Sequence, residues 1–321
     1  MSFPGSNLPL SMRPKMRFST KFYTCEGHED RIERSLAGVR HAFVMTRYRL
    51  RNLRNFLETN PTGDSEMKGI DRSTLYTFES IYGPVYIPKN AGGYIGAHRI
   101  NHVMGMLDKL IDRIPSHGLD IWCSDDFLDE MPPPGTERPE VNVPKDQGLF
   151  YDLRTVEEGG QRWIITYPCE NASLVAVLHR TRLTLVDRDT IRICPRVMEA
   201  LPPSDPILDD TRIAARAFED GVPLDSFHSS SLANTLIHEL SHSYIILGSL
   251  ATDDVDGMHA YYWEGITYHA TEPARALRNA DNFAYFAVVL PSKAMLLGKN
   301  HWGTGLSEPM LKDGPARDSP P

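Results

Sequence analysis

Apolar side chains recur at helical spacing in three long segments of the chain. From residue 30 to residue 58 they occupy every third or fourth position, and arginines fill the other faces. Residues 97–114 repeat this pattern, and residues 273–290 begin with a proline, which is favoured at a first helical position. We expect a structural amphipathic helix from the first segment. His98 and His102 lie four apart in the second, but no acid follows them in an HExxH pattern, so we interpret them as surface residues.

Short apolar runs between these segments predict strands. Residues 119–123 read as one strand. Four further runs are closely spaced and favour hairpins; they cover residues 163–167, 174–178, 183–186 and 191–194.

Size and charge limit the classes of function. The chain has 321 residues and a net charge of −8, which argues against a nucleic-acid surface. No run of 18 apolar residues predicts a membrane span. We expect a loose segment over residues 1–27, one domain over residues 28–298 and a disordered tail over residues 299–321. Oligomeric state stays open.

The segment from Ser229 to Gly248 carries the strongest chemical signal, the sequence HELSH. In a helix, His238 and His242 lie one turn apart on one face and can reach one metal ion, with Glu239 placed to act on a water there. An ordinary polar face is the alternative. Apolar flanks would partly bury these side chains, however, and buried polar groups need partners. The pattern therefore favours a zinc site.

A catalytic zinc needs a third protein ligand. The pattern HExxHxxGxxH is absent, because Ile245 stands at its glycine and Gly248 at its last histidine. A glutamate further along the chain, such as Glu264 or Glu272, remains open by position. An aspartate from the segment TDDVDG, residues 252–257, is the other possibility.

HELSH and further stretches of the chain resemble one known family, the aspzincins, which are deuterolysin-type and lysine-specific metalloendopeptidases. Their pattern is HExxH, then GTxDxxYG, then a helix with NAD followed by aromatic residues. LRNADNFAYF at residues 277–286 is similar to that helix, and residues 191–195 resemble a strand ending in Cys-Pro before the metal helix. The resemblance covers roughly residues 115–290. It implies an α+β, zincin-like fold with helices around a small sheet, a zinc ion and a peptide or protein substrate.

The family pattern implies an aspartate as the third ligand, and two candidates compete. Asp254 has the Thr-x-Asp context, whereas Asp256 lies closer to Tyr261, which matches the family tyrosine. The chain departs from the pattern in three places. Ala251 replaces the first glycine, the spacing from either aspartate to Tyr261 is longer than in the family, and Tyr262 replaces the glycine after the tyrosine. We favour Asp254 and keep Asp256 as the alternative.

The resemblance also implies roles for the remaining residues. Glu239 would be the general base and Tyr261 would donate a hydrogen bond to the oxyanion. Asp281 falls on an otherwise apolar helix face, where a carboxylate is costly unless it is paired. It would orient a zinc-binding histidine, although a salt bridge to Arg275 or Arg278 is an alternative. The competing functions are a zincin-fold binding or effector protein, favoured by the altered motif, and a peptidase that uses Glu264 as third ligand.

Cysteines and the first residues bear on the cellular location. The four cysteines are too scattered to predict a disulfide scaffold, but Cys123 and Cys194 each end a strand, so a bridge between them is a candidate. The first 22 residues lack the apolar segment of a secretory signal, which favours an intracellular location. Members of the resembled family are mostly secreted, so the location stays open.

Overall fold

The computed structural model describes residues 19–59, 67, 69–85, 96–114, 118–145, 147–155, 160–170, 176–179, 188–202, 223, 225, 231–255, 261–290, 300–301 and 308–309. These residues form a mixed α and β structure, which confirms the predicted α+β class. No helix in this described part of the chain is long and apolar enough to cross a membrane.

Helices make up most of the described chain. They are α1 Glu29–Thr59, α2 Gly69–Tyr82, α3 Ala97–Arg113, α4 Pro195–Ala200, α5 Leu232–Ser241, α6 Tyr244–Leu247, α7 Tyr262–Ala270, α8 Pro273–Ala276 and α9 Ala280–Val289, with a 3₁₀ turn at Gly248–Leu250. The sequence predicted α1 and α3 but missed α2. Buried apolar residues of α1, α3, α5 and α9 share one core, which also takes in the sheet.

Two helices that the sequence predicts as continuous are interrupted. The helix expected over residues 229–248 ends at Ser241, because Ser243 adopts an extended conformation and its side chain caps a new helix at Ile246 N, 3.0 Å away. The helix expected over residues 273–290 breaks before Ala280, where Asn279 is extended. Both interruptions lie beside the predicted metal site.

The main sheet has four strands in the order β1-β2-β7-β6. Its strands are β1 Ser19–Tyr23, β2 Gly118–Trp122, β6 Ala176–His179 and β7 Arg188–Ile193. The first three in spatial order are parallel, and β6 pairs antiparallel with β7. β6 is therefore an edge strand among the described residues. The run predicted at residues 183–186 lies outside them.

A second, antiparallel sheet joins β3 Leu128–Asp129, β4 Gly148–Asp152 and β5 Arg162–Thr166. β8 Asn300–His301 pairs with β9 Glu308–Pro309. Three of these strands lie where the sequence predicted irregular structure. β1 lies inside the segment expected to be loose, and β8 with β9 lies inside the expected tail. Pairing with a distant strand orders β1, and the five residues of β1 alone give little sign of it.

Side-chain alternation gives the two faces of β7 different neighbours. Ile191 and Ile193 are fully buried in the helical core. Thr190 and Arg192 point to the opposite face, as the period of two requires, and they are buried as well. Arg192 donates to the Tyr167 carbonyl, so the second sheet's end covers this face.

All four cysteines are paired, as Cys25–Cys123 and Cys169–Cys194. The bridge considered between Cys123 and Cys194 is therefore wrong. Cys123 N donates to the Tyr23 carbonyl at 3.1 Å, which turns the end of β2 toward β1 and brings the Cα atoms of Cys25 and Cys123 to 4.9 Å. β2 lies between β1 and β7, and sequence spacing could not tell whether Cys123 pairs with the cysteine after β1 or with the one after β7.

Candidate metal centre

Helix α5 carries the first half of the HELSH sequence. Ser231 Oγ accepts from Asn234 N at 3.1 Å and so caps the first turn. All ten residues of α5 are buried, and Leu236 and Leu240 face the core. His238 and Glu239, in the last turn, are only 8% and 5% exposed. The predicted partial burial of the motif is thus nearly complete.

Three side chains converge on one point. The Nε2 atoms of His238 and His242 are 3.2 Å apart. Oδ1 of Asp254 lies 3.2 Å from the first and 3.4 Å from the second. Three donors bonded tetrahedrally to one zinc at about 2.0–2.1 Å are roughly 3.3–3.4 Å apart, so the observed triangle fits that ion.

No other residue of the described chain joins this group of possible metal ligands. Glu264 is exposed on α7, and Glu272 is exposed in an ion pair with Arg275. The structure therefore does not bring either glutamate to the histidines. Asp256, the alternative aspartate, lies outside the described residues.

Each imidazole is held by its second ring nitrogen. Nδ1 of His238 lies 2.7 Å from Oδ1 of Asp281, which is fully buried on α9. Nδ1 of His242 lies 3.0 Å from the Thr252 carbonyl oxygen. Both acceptors favour a proton on Nδ1, which leaves the Nε2 lone pairs free for a metal. The alternative partners of Asp281 are engaged elsewhere, since Arg275 pairs with Glu272 and Arg278 with Asp253.

Backbone hydrogen bonds fix the loop of Asp254 against α9. Asp253 N donates to the Arg278 carbonyl at 2.7 Å, and Ala280 N donates to the Asp253 carbonyl at 3.0 Å. Thr252 N donates to the Ser241 carbonyl at 2.9 Å, which ties the same loop to α5. The break before α9 therefore has a structural use, because it lets residues 278–280 pair with this loop.

Glu239 lies beside the histidines but turns its carboxylate toward the sheet. Oε2 accepts from the backbone N of Leu178, on edge strand β6, at 2.6 Å. Burial raises the pKa of Glu239, while the two neighbouring histidines act in the opposite direction. A carboxylate with a raised pKa, held by one backbone donor, is suited to accept a proton near neutral pH.

Tyr261 completes the site from the start of α7. Its ring stacks on that of His238, with centroids 5.8 Å apart, and its hydroxyl is within hydrogen-bonding reach of Asp254. Burial, and then the charges of Asp254 and Glu239, raise the pKa of Tyr261, so the hydroxyl stays protonated as a donor. Tyr262, which follows, has a φ of 64°, in the left-handed region that glycine prefers. This conformation accounts for the glycine that the family pattern has there.

Charges around the two histidines favour a cation. Burial lowers the pKa of His238, but hydrogen bonds to Asp254 and Asp281 outweigh burial and raise it well above the usual value. Burial alone would raise the pKa of Asp254, but its interactions with the two histidines outweigh burial and lower the pKa. Two carboxylates thus flank His238, Asp281 at Nδ1 and Asp254 at Nε2, and a divalent ion at Nε2 would offset their negative charge.

Two contacts at the site escaped the sequence analysis. Leu178 acts only through its backbone N, so no side-chain signal marks it. Thr252 was used to align the aspartate, yet its carbonyl holds His242 and its hydroxyl lies 2.6 Å from Ser241 Oγ. The threonine of the family pattern is therefore the one available clue to this support.

Comparison with known families agrees with this geometry. Residues 221–288 match the family model described as lysine-specific metallo-endopeptidase, the aspzincins. A search of curated proteins found no match to the chain. The matched range includes both histidines, Glu239, Asp254 and the helix of Asp281. The region that holds these residues therefore matches the aspzincin family, which supports a zinc metallopeptidase in general.

Proposed function

We propose that this protein is a zinc-dependent endopeptidase whose metal is held by His238, His242 and Asp254. The proposal rests on the triangle of donor atoms at 3.2–3.4 Å, with each histidine fixed through Nδ1. Two imidazoles and one carboxylate leave a fourth tetrahedral position open, as in catalytic rather than structural zinc sites. When bound, zinc would polarise a peptide carbonyl and lower the pKa of a water molecule from 15.7 toward about 7.

Glu239 is the general base in this proposal. It neighbours both histidines but is absent from the ligand triangle, so its carboxylate remains available for proton transfer. It takes the proton of the attacking water and passes it to the departing amine nitrogen. The hydrogen bond from Leu178 N would keep the carboxylate in place during both steps.

Edge strand β6 offers a way to position the substrate. A peptide laid along this edge in an extended conformation would form backbone hydrogen bonds and pass beside Glu239. Tyr261, whose ring stacks on that of His238, would donate a hydrogen bond from its hydroxyl to the carbonyl oxygen as negative charge develops there. One such donor commonly contributes about 3 kcal/mol to transition-state stabilisation.

The second candidate function is a zinc-binding effector without peptidase activity. The altered family motif favoured it, and Tyr262 at the glycine position is one of the alterations. Because Tyr262 adopts the left-handed conformation itself, Tyr261 still lies beside His238, and this objection loses its weight. A peptidase that uses Glu264 is not proposed, since Glu264 is exposed and outside the ligand group.

Glu239→Gln tests the proposal. The variant keeps the shape and the bond from Leu178 N but cannot accept a proton, so hydrolysis of a mixed peptide library should fall by at least about 10²-fold. Bound zinc, measured by mass spectrometry, should stay near one per chain. Glu264→Gln is the matched control and should retain full activity. An active Glu239→Gln enzyme would contradict the role of Glu239, and a zinc-loaded but inactive wild type would favour the effector.

A further inference from the structure

The face of the main sheet that points away from the helical core carries buried polar side chains. His179 on β6 pairs with Thr190 on β7, and Arg192 on β7 pairs with Val177 on β6. Residues two apart on a strand share a face, so His179 and Arg192 are diagonal neighbours. Both are buried, at 6% and 0% exposure.

The second sheet covers this face with a further guanidinium and an aromatic ring. Arg154 donates to Thr190 Oγ1, and its guanidinium lies over the ring of Phe127 with 4.8 Å to the centroid. The ring of His179 meets the same Phe127 ring edge-on, with centroids 5.4 Å apart. Arg154, His179 and Arg192 therefore belong to one buried cluster between the two sheets.

Three buried nitrogen atoms of this cluster make no hydrogen bond within the described part of the chain. Arg192 Nη2 donates to the Tyr167 carbonyl and to Thr166 Oγ1. Arg192 Nε and Nη1, and Nε2 of His179, have no hydrogen-bond partner within the part of the chain that the structure describes. A buried unpaired donor costs about 1–3 kcal/mol, and more when it is charged.

Arg192 makes no direct ion pair with a carboxylate in the described part of the chain, although the charge of Glu239 acts on it through space. Asp152 is fully used by Arg154, at 2.9 Å to Nε and 2.5 Å to Nη2. Asp125 acts on Arg192 through space, but its Oδ2 accepts from Cys169 N. Burial lowers the pKa of Arg192 to about 10, so it stays charged near neutral pH. A buried guanidinium without a bound carboxylate calls for another anion.

We propose that Arg192 and His179 bind a compact monovalent anion, of the size of chloride or formate, between the two sheets. The ligand must accept hydrogen bonds from these side chains. It must also be small, because both side chains are buried. A side chain of a folded partner cannot reach this space without separating the sheets, so the ligand is a free ion. This site is separate from the proposed metal centre, although β6 contributes to both through the neighbouring residues Leu178 and His179.

Thermal unfolding of the zinc-loaded full chain tests this site. Unfolding would be followed in sodium chloride, sodium formate and sodium gluconate at equal ionic strength and pH, gluconate being too large to enter. Because a ligand of the folded state stabilises it, chloride or formate should raise the Tm of the wild type over gluconate by about 2 °C or more. Whichever of the two gives the larger rise identifies the preferred anion.

Two variants and one control assign the effect. Arg192→Gln removes the guanidinium, and His179→Phe keeps a ring against Phe127 but removes Nε2. Both should abolish the difference between salts, whereas Arg188→Gln, which breaks the pair with Asp120 on the same sheet face, should keep it. Should Arg192→Gln not fold, His179→Phe decides alone. Equal Tm values for the wild type in all three salts, or an unchanged difference in His179→Phe, would overturn the proposal.

Discussion

His238 and Asp281 are 43 positions apart in sequence, yet Nδ1 of the first lies 2.7 Å from Oδ1 of the second. The other carboxylate oxygen, Oδ2, accepts from the backbone N of Tyr262 at 3.3 Å. One buried acid thus orients an imidazole of the proposed metal site and holds the residue after Tyr261. Helix α9 supports both the ligand set and the proposed oxyanion donor.

Asp281→Asn is expected to weaken zinc binding without removing a ligand. The amide cannot match the charge of the carboxylate, so Nδ1–H of His238 is held less firmly and Nε2 becomes a poorer donor. Changes of this kind typically cost 10- to 100-fold in metal affinity, and we expect a loss in this range. Competition with a zinc chelator measures it.

Asp253→Asn serves as the control for Asp281→Asn. Asp253 lies on the loop of the third ligand, but its carboxylate pairs with the exposed Arg278, and exposed pairs contribute little. Its zinc affinity should stay within a few-fold of the wild type. Equal affinities in both variants would mean that Asp281 supports the fold and not the metal.

The sequence allowed much of the site to be predicted because helical spacing is a local property. His238, Glu239 and His242 are brought together by one turn of helix, and the family pattern pointed to Asp254 and Asp281. Apolar periodicity likewise predicted α1 and α3. These features depend on residues close in sequence or on a motif, and both can be read without knowing the fold.

Other features depend on contacts between distant segments, and the sequence could not reveal them. Strand β1 is ordered by pairing with β2, nearly a hundred residues later. The disulfide partner of Cys123 depends on whether the chain at the end of β2 turns toward β1 or toward β7. The backbone N of Leu178 leaves no mark in the sequence. In each case the deciding partner belongs to another element.

Tyr262→Gly should increase stability. Tyr262 has a φ of 64°, a conformation that costs a residue with a Cβ atom about 1–2 kcal/mol more than glycine. Tyr262→Ala removes the same half-exposed ring but keeps the strain, so it is the matched control. We expect the free energy of unfolding in urea to be about 1 kcal/mol higher for Tyr262→Gly than for Tyr262→Ala. A lower free energy of unfolding for Tyr262→Gly than for Tyr262→Ala would contradict the inferred backbone strain at this position.

The two disulfides should differ in their effect on stability. The Cys25–Cys123 bridge spans 98 positions and the Cys169–Cys194 bridge spans 25. In the chain-entropy account the longer loop contributes about 4–5 kcal/mol and the shorter about 3–4 kcal/mol. Replacing the first pair by alanine should therefore lower the Tm more than replacing the second. Peptide mapping without reduction checks the pairing, and a Cys123–Cys194 peptide would contradict it.

The free energy of unfolding should fall as the pH drops below the pKa of a free histidine. We expect His179 to cause this fall. Burial, and then the charges of Arg192, Arg154 and Arg162, place its folded-state pKa well below 6.5. The unfolded chain therefore binds the proton more readily, so the stability that neutral His179 contributes is present above about pH 6.5 and lost below it.

His179→Phe isolates this contribution. From pH 7.5 to 5.5 its free energy of unfolding should fall less than that of the wild type, by up to about 1.4 kcal/mol per pH unit below 6.5. His98→Phe, which replaces an exposed histidine of α3, should follow the wild type. Parallel curves for all three proteins would show that His179 does not carry the effect.

The identity of the third ligand is open to the most direct test. Oδ1 of Asp254 lies 3.2 Å and 3.4 Å from the two Nε2 atoms, which makes it the expected ligand. Asp254→Ala leaves two histidines, so zinc affinity should fall by orders of magnitude. Asp256→Ala and Glu264→Ala, measured beside it, should keep their zinc. Loss of zinc in Asp256→Ala alone would keep the family and move the ligand by two residues. Loss in Glu264→Ala alone would exclude an aspartate ligand, and with it the proposed arrangement of the metal centre.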